Sequence, residues 1–279
     1  MKRSMAAPGY FTDDSMLRIV QREMVVALAG PRSLLMQAAH PVAFAGFFEA
    51  TTMLAEPYPR LERTARVLSA IAFGTREEAD AATRPVRAVH RRVSGTLSER
   101  SGRFPAGTPW RADDPELLLW ILATLVDSNL LVYQRYVRRL SREEQEAYWQ
   151  DFRLLGKLFG LPYKHAPVDL DAFEDYVAAM LASGDLHVGE TARRLAVEIV
   201  MRPPVPRLAV PALELANQIT IGILPAEIRR LYGFRWDPVR AAAVRGGAEY
   251  LKRIVVPVLP SRLRTAPSAR TAASLRPQA

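Results

Sequence analysis

Apolar residues recur at helical spacing along almost the whole chain. Met16 to Ala29 shows the three- and four-residue period and stops at Gly30-Pro31, a terminator pair. Ser33 to Met53 is small and apolar, with a bend predicted at Pro41. Glu56-Pro57-Tyr58-Pro59 reads as a turn, and Leu61 to Phe73 as a helix closed by Gly74. Thr75-Arg76-Glu77-Glu78 has the capping-box pattern, in which the Thr hydroxyl takes the N3 amide and Glu78 reaches back. The helix it opens is predicted to reach Val93, bent or broken at Pro85, and to end at Ser94-Gly95. Residues 96–112 read as a loop. Asp113-Asp114-Pro115-Glu116 then places proline near N1 and acids at the positive dipole end, opening a helix toward Leu140. Ser141-Arg142-Glu143-Glu144 is a second capping box, and its helix ends near Gly160. Further helices are expected at 170–183, 188–201, 208–223 and 238–254. No segment alternates with a period of two and no internal repeat is present. These patterns predict an all-α fold: a flexible N-terminus (1–15), one helical domain (16–255) and a basic, disordered tail (256–279).

One stretch, Leu117 to Tyr133, is long and apolar enough to raise the question of a membrane span. Asp127, Ser128 and Asn129 lie inside it, and an acid at mid-bilayer costs about 2.5–3.5 kcal/mol. A buried central helix is the better reading, with no stable membrane span. Asp127 then needs a partner, because an unpaired buried carboxylate is costly. Either it bonds an arginine or a helix end, or it supports a histidine or the pocket. At the N-terminus Lys2 and Arg3 are followed by no apolar stretch, so no signal segment and a cytoplasmic location are expected.

Composition narrows the chemistry more than the fold. The absence of cysteine among 279 residues removes thiolate nucleophiles, iron–sulfur clusters, cysteine zinc sites and covalent haem attachment. The net charge of +9 is concentrated: Glu227 to Ala279 holds 11 basic and 3 acidic residues, and the rest is nearly neutral. The basic residues are mostly arginine, and there is neither a helix-turn-helix nor a basic patch interleaved with aromatics. No nucleic-acid partner is expected; a homo-oligomer is compatible with the sequence.

Candidate reactive groups are few. There is no HExxH, no Glu-x-x-His pair, no GxGxxG, no GxxxxGK[ST] and no GxSxG. What remains is a helical pocket with one histidine ligand. Of His40, His90, His165 and His187, the last two sit in loops. His90 has Val86 four residues before it and Val93 three after, which surrounds the imidazole with apolar groups. Arg87, three before, stands within reach of an anionic group. His90 is thus either a metal ligand or a hydrogen-bonded core histidine. Arg60 and Thr64 share a helix face with Arg63 beside them, where a guanidinium and a hydroxyl can steady dioxygen or a developing oxyanion.

Several strings, in order, resemble the oxygenase family that includes latex-clearing protein (rubber oxygenase) and the fungal MpaB oxygenase. They are Gln21-Arg22-Glu23, Leu35 to Gly46 (LMQAAHPVAFAG), Arg60-Leu-Glu-Arg63-Thr64, Phe73-Gly74-Thr75 and Val86 to Gly95 (VRAVHRRVSG). They continue with Asp127-Ser128, Tyr148-Trp149, Leu158 to Pro162, and Leu224-Pro225 through Tyr232-Gly233. The resemblance covers about residues 16 to 255 and implies a globin-like helical fold holding a non-covalent haem b. It places the proximal iron ligand at His90 and a distal arginine and threonine at Arg60 and Thr64. The family's distal lysine falls on Arg63, a departure, since arginine cannot offer a neutral amine to iron. The resemblance gives the family's catalytic carboxylate no matching position here; Glu49 and Glu56 are the acids in that part of the chain. His40 is an iron ligand, a distal polar group, or a core residue bonded to Gln37. The implied function is a haem-dependent oxygenase that uses dioxygen on a hydrophobic small molecule, with oxidative cleavage of a carbon–carbon double bond as the expected reaction. The alternative is a non-catalytic helical binder of haem or another hydrophobic ligand.

Overall fold

The computed structural model describes residues 8–49 and 57–274 of the chain. Within them the architecture is helical, with one two-stranded ribbon. Helix α1 (Met16–Gln21) passes through a 3-10 turn, Met24–Leu28, into α2 (Ala29–Ala38). Gly30-Pro31 therefore lies at the start of a helix, not at its end. Pro31 occupies the first turn, where its missing N–H has no intrahelical partner to lose. Helix α3 (Pro41–Glu49) follows, and proline at its first position separates it from α2.

Helix α4 (Pro57–Phe73) leads to α5 (Arg76–His90), and both halves of the Thr75 capping box are present. Pro85 does not break α5. Ala81 and Pro85 are both exposed, so the carbonyl deprived of its amide faces water. Residues expected to form only a loop contain β1 (Ser94–Thr96) and β2 (Pro109–Arg111), antiparallel with Gly95 opposite Trp110.

The axis of the fold is α6 (Pro115–Tyr136), capped by the Asp114 carboxylate on the Glu116 amide. It is long and apolar enough to span a membrane, yet Trp120, Ala123, Val126, Val132 and Tyr136 on it are buried against other helices. Helix α7 (Arg142–Phe159) begins with the second capping box and ends at Gly160, whose φ of 108° needs glycine. Tyr148, Trp149 and Phe152 on α7 join Leu17, Val20 and Ile71 in the largest apolar cluster. Helices α8 (Leu170–Ala182), α9 (Glu190–Met201), α10 (Val210–Ile223) and α11 (Ala226–Tyr232) complete the bundle. Leu35 and Met36 of α2, Trp120, and Ile228 and Tyr232 of α11 form a second cluster.

Among the described residues, segments on both sides of 16–255 make tertiary contacts. In the segment read as a flexible N-terminus, Phe11 is buried and the Tyr10 hydroxyl donates to Asp80 at 2.8 Å. Helix α12 (Pro238–Tyr250), where a helix was expected over 238–254, continues through a π turn, Leu251–Val255, and a last α turn, Val256–Val258. Helices α13 (Ser261–Arg264) and α14 (Pro267–Ser274) follow. Arg264 grips the buried Glu23 carboxylate through two bonds of 2.8 and 3.1 Å, and the Ala266 amide donates to the Arg22 carbonyl at 2.7 Å. A carboxylate buried in the N-terminal half of the chain recruits the C-terminal segment; no local pattern in either segment signals that pairing.

Candidate functional site

His90 is the last residue of α5, on the turn before β1. Its imidazole is half-buried, and Nδ1 is buried with no hydrogen-bond partner among the described residues. Burial lowers its pKa first and the Arg60 charge lowers it further, while Asp113 acts in the opposite direction. The neutral imidazole, the form that binds a metal, is thereby favoured.

Arg60 projects from the first turn of α4 and acts electrostatically on His90, so the two residues, 30 apart in sequence, share one neighbourhood. Burial and the adjacent Arg63 push the Arg60 pKa down to about 10. Arg63 and Thr64 are exposed. The Thr64 hydroxyl donates to the Arg60 carbonyl at 3.2 Å, a bond within its own helix. The structure thus brings Arg60 to His90, and gives Thr64 a local occupation.

Arg87 is engaged elsewhere. Its Nη1 donates to the Leu158 carbonyl at 2.9 Å, and its aliphatic stem lies 3.9 Å from the Cβ position of Gly160. It ties α5 to the C-terminus of α7, where a cation suits the helix dipole.

His40 caps α3. Its Nδ1 accepts from the Ala43 amide at 3.2 Å, while its own amide donates to the Gln37 carbonyl at 3.1 Å. The Gln37 side chain instead donates to Thr124 Oγ1 at 3.0 Å. With Nδ1 accepting, the neutral ring carries its proton on Nε2, which leaves no free lone pair for iron. Asp185, Arg103 and the Phe104 ring, 5.6 Å away between centroids, are its surroundings. Of the three readings of His40, this geometry supports a structural one. Glu56 lies outside the described residues, and Glu49 is the last residue of α3.

Asp127 has the partner its burial demanded. Arg32, 4% exposed, places Nη2 at 2.7 Å from Asp127 Oδ2, Nη1 at 2.6 Å from Ser128 Oγ and Nε at 2.7 Å from the Ile223 carbonyl. The bond to an arginine is the reading the structure supports.

Two further polar groups were not anticipated. Asp113 looked like a helix start, yet it pairs with Arg111 through bonds of 2.9 and 3.0 Å and acts on His90. Trp110 on β2 buries Nε1 without a partner among the described residues, and its ring lies 3.0 Å from where a Cβ on Gly46 would sit. The Arg-x-Asp spacing signalled the first. Nothing local signalled the second, since it depends on α3 meeting β2.

The residues present fit a group that brings its own metal. Among the described residues no three His, Cys, Asp or Glu converge as a protein-only metal cage. A single neutral imidazole at the end of a helix, with exposed Val93 three residues on, suits an iron whose remaining ligands belong to a macrocycle. Cavities of about 580 and 560 Å³ lie elsewhere, the first against Met201, Leu213 and Phe234, the second against Arg18, Glu23 and Arg264. Neither has His90 or Arg60 in its wall.

The chain is similar to uncharacterised proteins of Mycobacterium bovis and Mycobacterium tuberculosis, each 27% identical over 187 residues, covering 65% of this chain and 68% of the relative. No solved structure matches it. The family described as ER-bound oxygenase mpaB/B'/Rubber oxygenase, catalytic domain, matches residues 17–253, the span that contains His90, Arg60 and the whole of α6. The chain belongs to the MpaB/rubber oxygenase catalytic-domain family.

Proposed function

We propose that this protein is a haem b-dependent oxygenase acting on an apolar small molecule, with His90 as the iron ligand and Arg60 as the polar group of the pocket. The observation that carries the reading is the half-buried, neutral His90 imidazole, within the electrostatic reach of Arg60, with a ring nitrogen left unsatisfied among the described residues. When bound, the cofactor supplies the activation of dioxygen toward a carbon–carbon double bond, giving carbonyl products. The chain's own share is positioning. Burial and the Arg60 charge keep the proton off the imidazole. The Arg60 cation, itself drawn out of water, favours negative charge developing beside it. Val89 and Val93 offer a flat group an apolar flank.

Freshly purified protein should show a Soret band and yield extractable haem b. His90→Ala should lose both while keeping the helical circular dichroism of the parent. Full haem content in that variant removes His90 from the ligand role.

A second reading, a non-catalytic binder of haem or another hydrophobic ligand, draws support from the internal bond of Thr64 and the exposure of Arg63. Anaerobic reduction followed by oxygen and a trial alkene separates the two. Turnover that falls in Arg60→Leu favours the oxygenase; ligand retention without product favours the binder.

A further inference from the structure

The C-terminal helix carries an apolar stripe on the side that faces away from the core. Helix α12 and its continuation to Val258 span about 30 Å at 1.5 Å per residue. The inner face packs as expected: Ala248 and Val256 are buried, and Val244 lies against the Gly222 turn of α10. Val239, Ala243, Gly246, Tyr250, Ile254 and Val258 follow one another in steps of four, three, four, four and four, so they line a single opposite face. That face is open to solvent. Val239 is 78% exposed, Tyr250 60%, Ile254 53% and Val258 76%. A helix apolar on both faces is ordinarily covered on both.

Charge identifies what covers it. Residues 235–264 hold seven basic and two acidic side chains, in a protein whose first 226 residues are almost neutral. Asp237 and Glu249 are each paired with an arginine, Arg240 and Arg253. Arg264 is taken by Glu23 and Lys252 by the Gln134 carbonyl. Arg235, Arg245 and Arg262 have no acidic partner among the described residues. A second copy packed stripe to stripe across a two-fold axis would bring these cations toward their own images. An anionic lipid surface accepts both features together: headgroups take the arginines, and the apolar stripe, with Tyr250 near its middle, enters the interface. We infer that α12 and its continuation form a docking surface for an anionic phospholipid bilayer, with the helix lying in the membrane plane.

The test uses the full chain and vesicles. The protein should float with equimolar phosphatidylglycerol–phosphatidylcholine vesicles, roughly tenfold more strongly than with phosphatidylcholine alone, and rising salt should erode the difference. Tyr250→Glu with Ile254→Glu should abolish flotation while leaving the thermal midpoint and circular dichroism unchanged, since both side chains are exposed. Because the chain has no cysteine, Ile254→Cys accepts one environment-sensitive fluorophore, and its emission should shift to the blue only with anionic vesicles. That reading decides the matter even if the double variant unfolds. Absence of flotation, flotation that the double variant retains with no blue shift, or a wild-type dimer that the double variant splits would overturn the inference.

Discussion

Arg32 and Arg60 both carry a guanidinium out of water, one from the first turn of α2 and the other from the first turn of α4. Around Arg32 the protein supplies a carboxylate, a hydroxyl and a backbone carbonyl, each within 2.7 Å of a different nitrogen. Arg60 lies beside another cation, Arg63, and acts on His90, a histidine held neutral with Nδ1 unsatisfied among the described residues. The first arrangement gains by being complete, and it joins α2, α6 and α10. The second leaves a buried ring nitrogen of His90 unbonded among the described residues. A buried ring nitrogen that the described residues leave unbonded is a point at which a bound group can be held.

Removing Arg32 is the largest expected blow to stability, and the strongest check on its half of this contrast. Arg32→Met leaves Asp127, Ser128 and the Ile223 carbonyl without their shared donor. Breaking a buried pair costs about 3–5 kcal/mol, and because Asp127 is 32% exposed the lower end applies, about 3 kcal/mol. Urea unfolding should show it, with a thermal midpoint lower by roughly 6–12 °C. A loss under about 1 kcal/mol would mean that the network is not what ties these helices together. Asp127→Asn, which keeps a hydrogen-bond acceptor for Arg32, should cost less and leave the haem spectrum unchanged.

His40 makes a smaller contribution with a pH signature. Its pKa is lowered by burial first, with Asp185 opposing and Arg103 assisting. The unfolded chain therefore takes up the proton before the folded one. The stability that the neutral ring provides is complete above the ordinary histidine pKa of about 6.5, and it is lost as pH falls below that value toward the lower folded pKa. His40→Ala should cost about 1 kcal/mol at pH 7.5, as for other lost N-caps, and flatten the decline between pH 7 and 5. His40→Asn, which can cap without titrating, should restore the stability and keep the flat profile. If His40→Ala also strips the haem while its stability stays that of the parent, the cap is not the residue's role and the iron-ligand reading returns.

Much of this was legible before any coordinates, and the limits have a physical pattern. Local hydrogen bonding is written in adjacent residues, so both capping boxes and the proline start of α6 appear at their expected positions. Gly30-Pro31 misled because the same pair suits a helix end and a helix first turn, and packing of Ala29 and Leu35 decides between them. For Arg87, spacing on a helix fixes a neighbour's direction but not an acceptor on a second helix, here the Leu158 carbonyl. The ordered tail depends on Glu23 meeting Arg264 across 241 residues, a pairing that no window along the chain contains. The Asp127 partnership lay between these cases: its need was plain from burial, its partner was not.

The smallest expected effect on stability belongs to His90, and there the contrast with Arg32 is sharpest. A buried polar atom left unbonded costs about 1–3 kcal/mol, and His90 Nδ1 is such an atom on a half-buried ring. His90→Leu removes that penalty while keeping apolar bulk beside Val86 and Val93. In chain freed of haem, the variant should unfold at the parent's urea midpoint or above it, by up to about 1 kcal/mol. It should fail to regain a Soret band when haem is added back. A structural histidine would behave in the opposite way, losing stability in the haem-free chain as Arg32 does. Measured together, Arg32→Met and His90→Leu place the two clusters on opposite sides of zero. Should both destabilise the haem-free chain alike, the distinction between a completed cluster and one awaiting a ligand would not hold for this bundle.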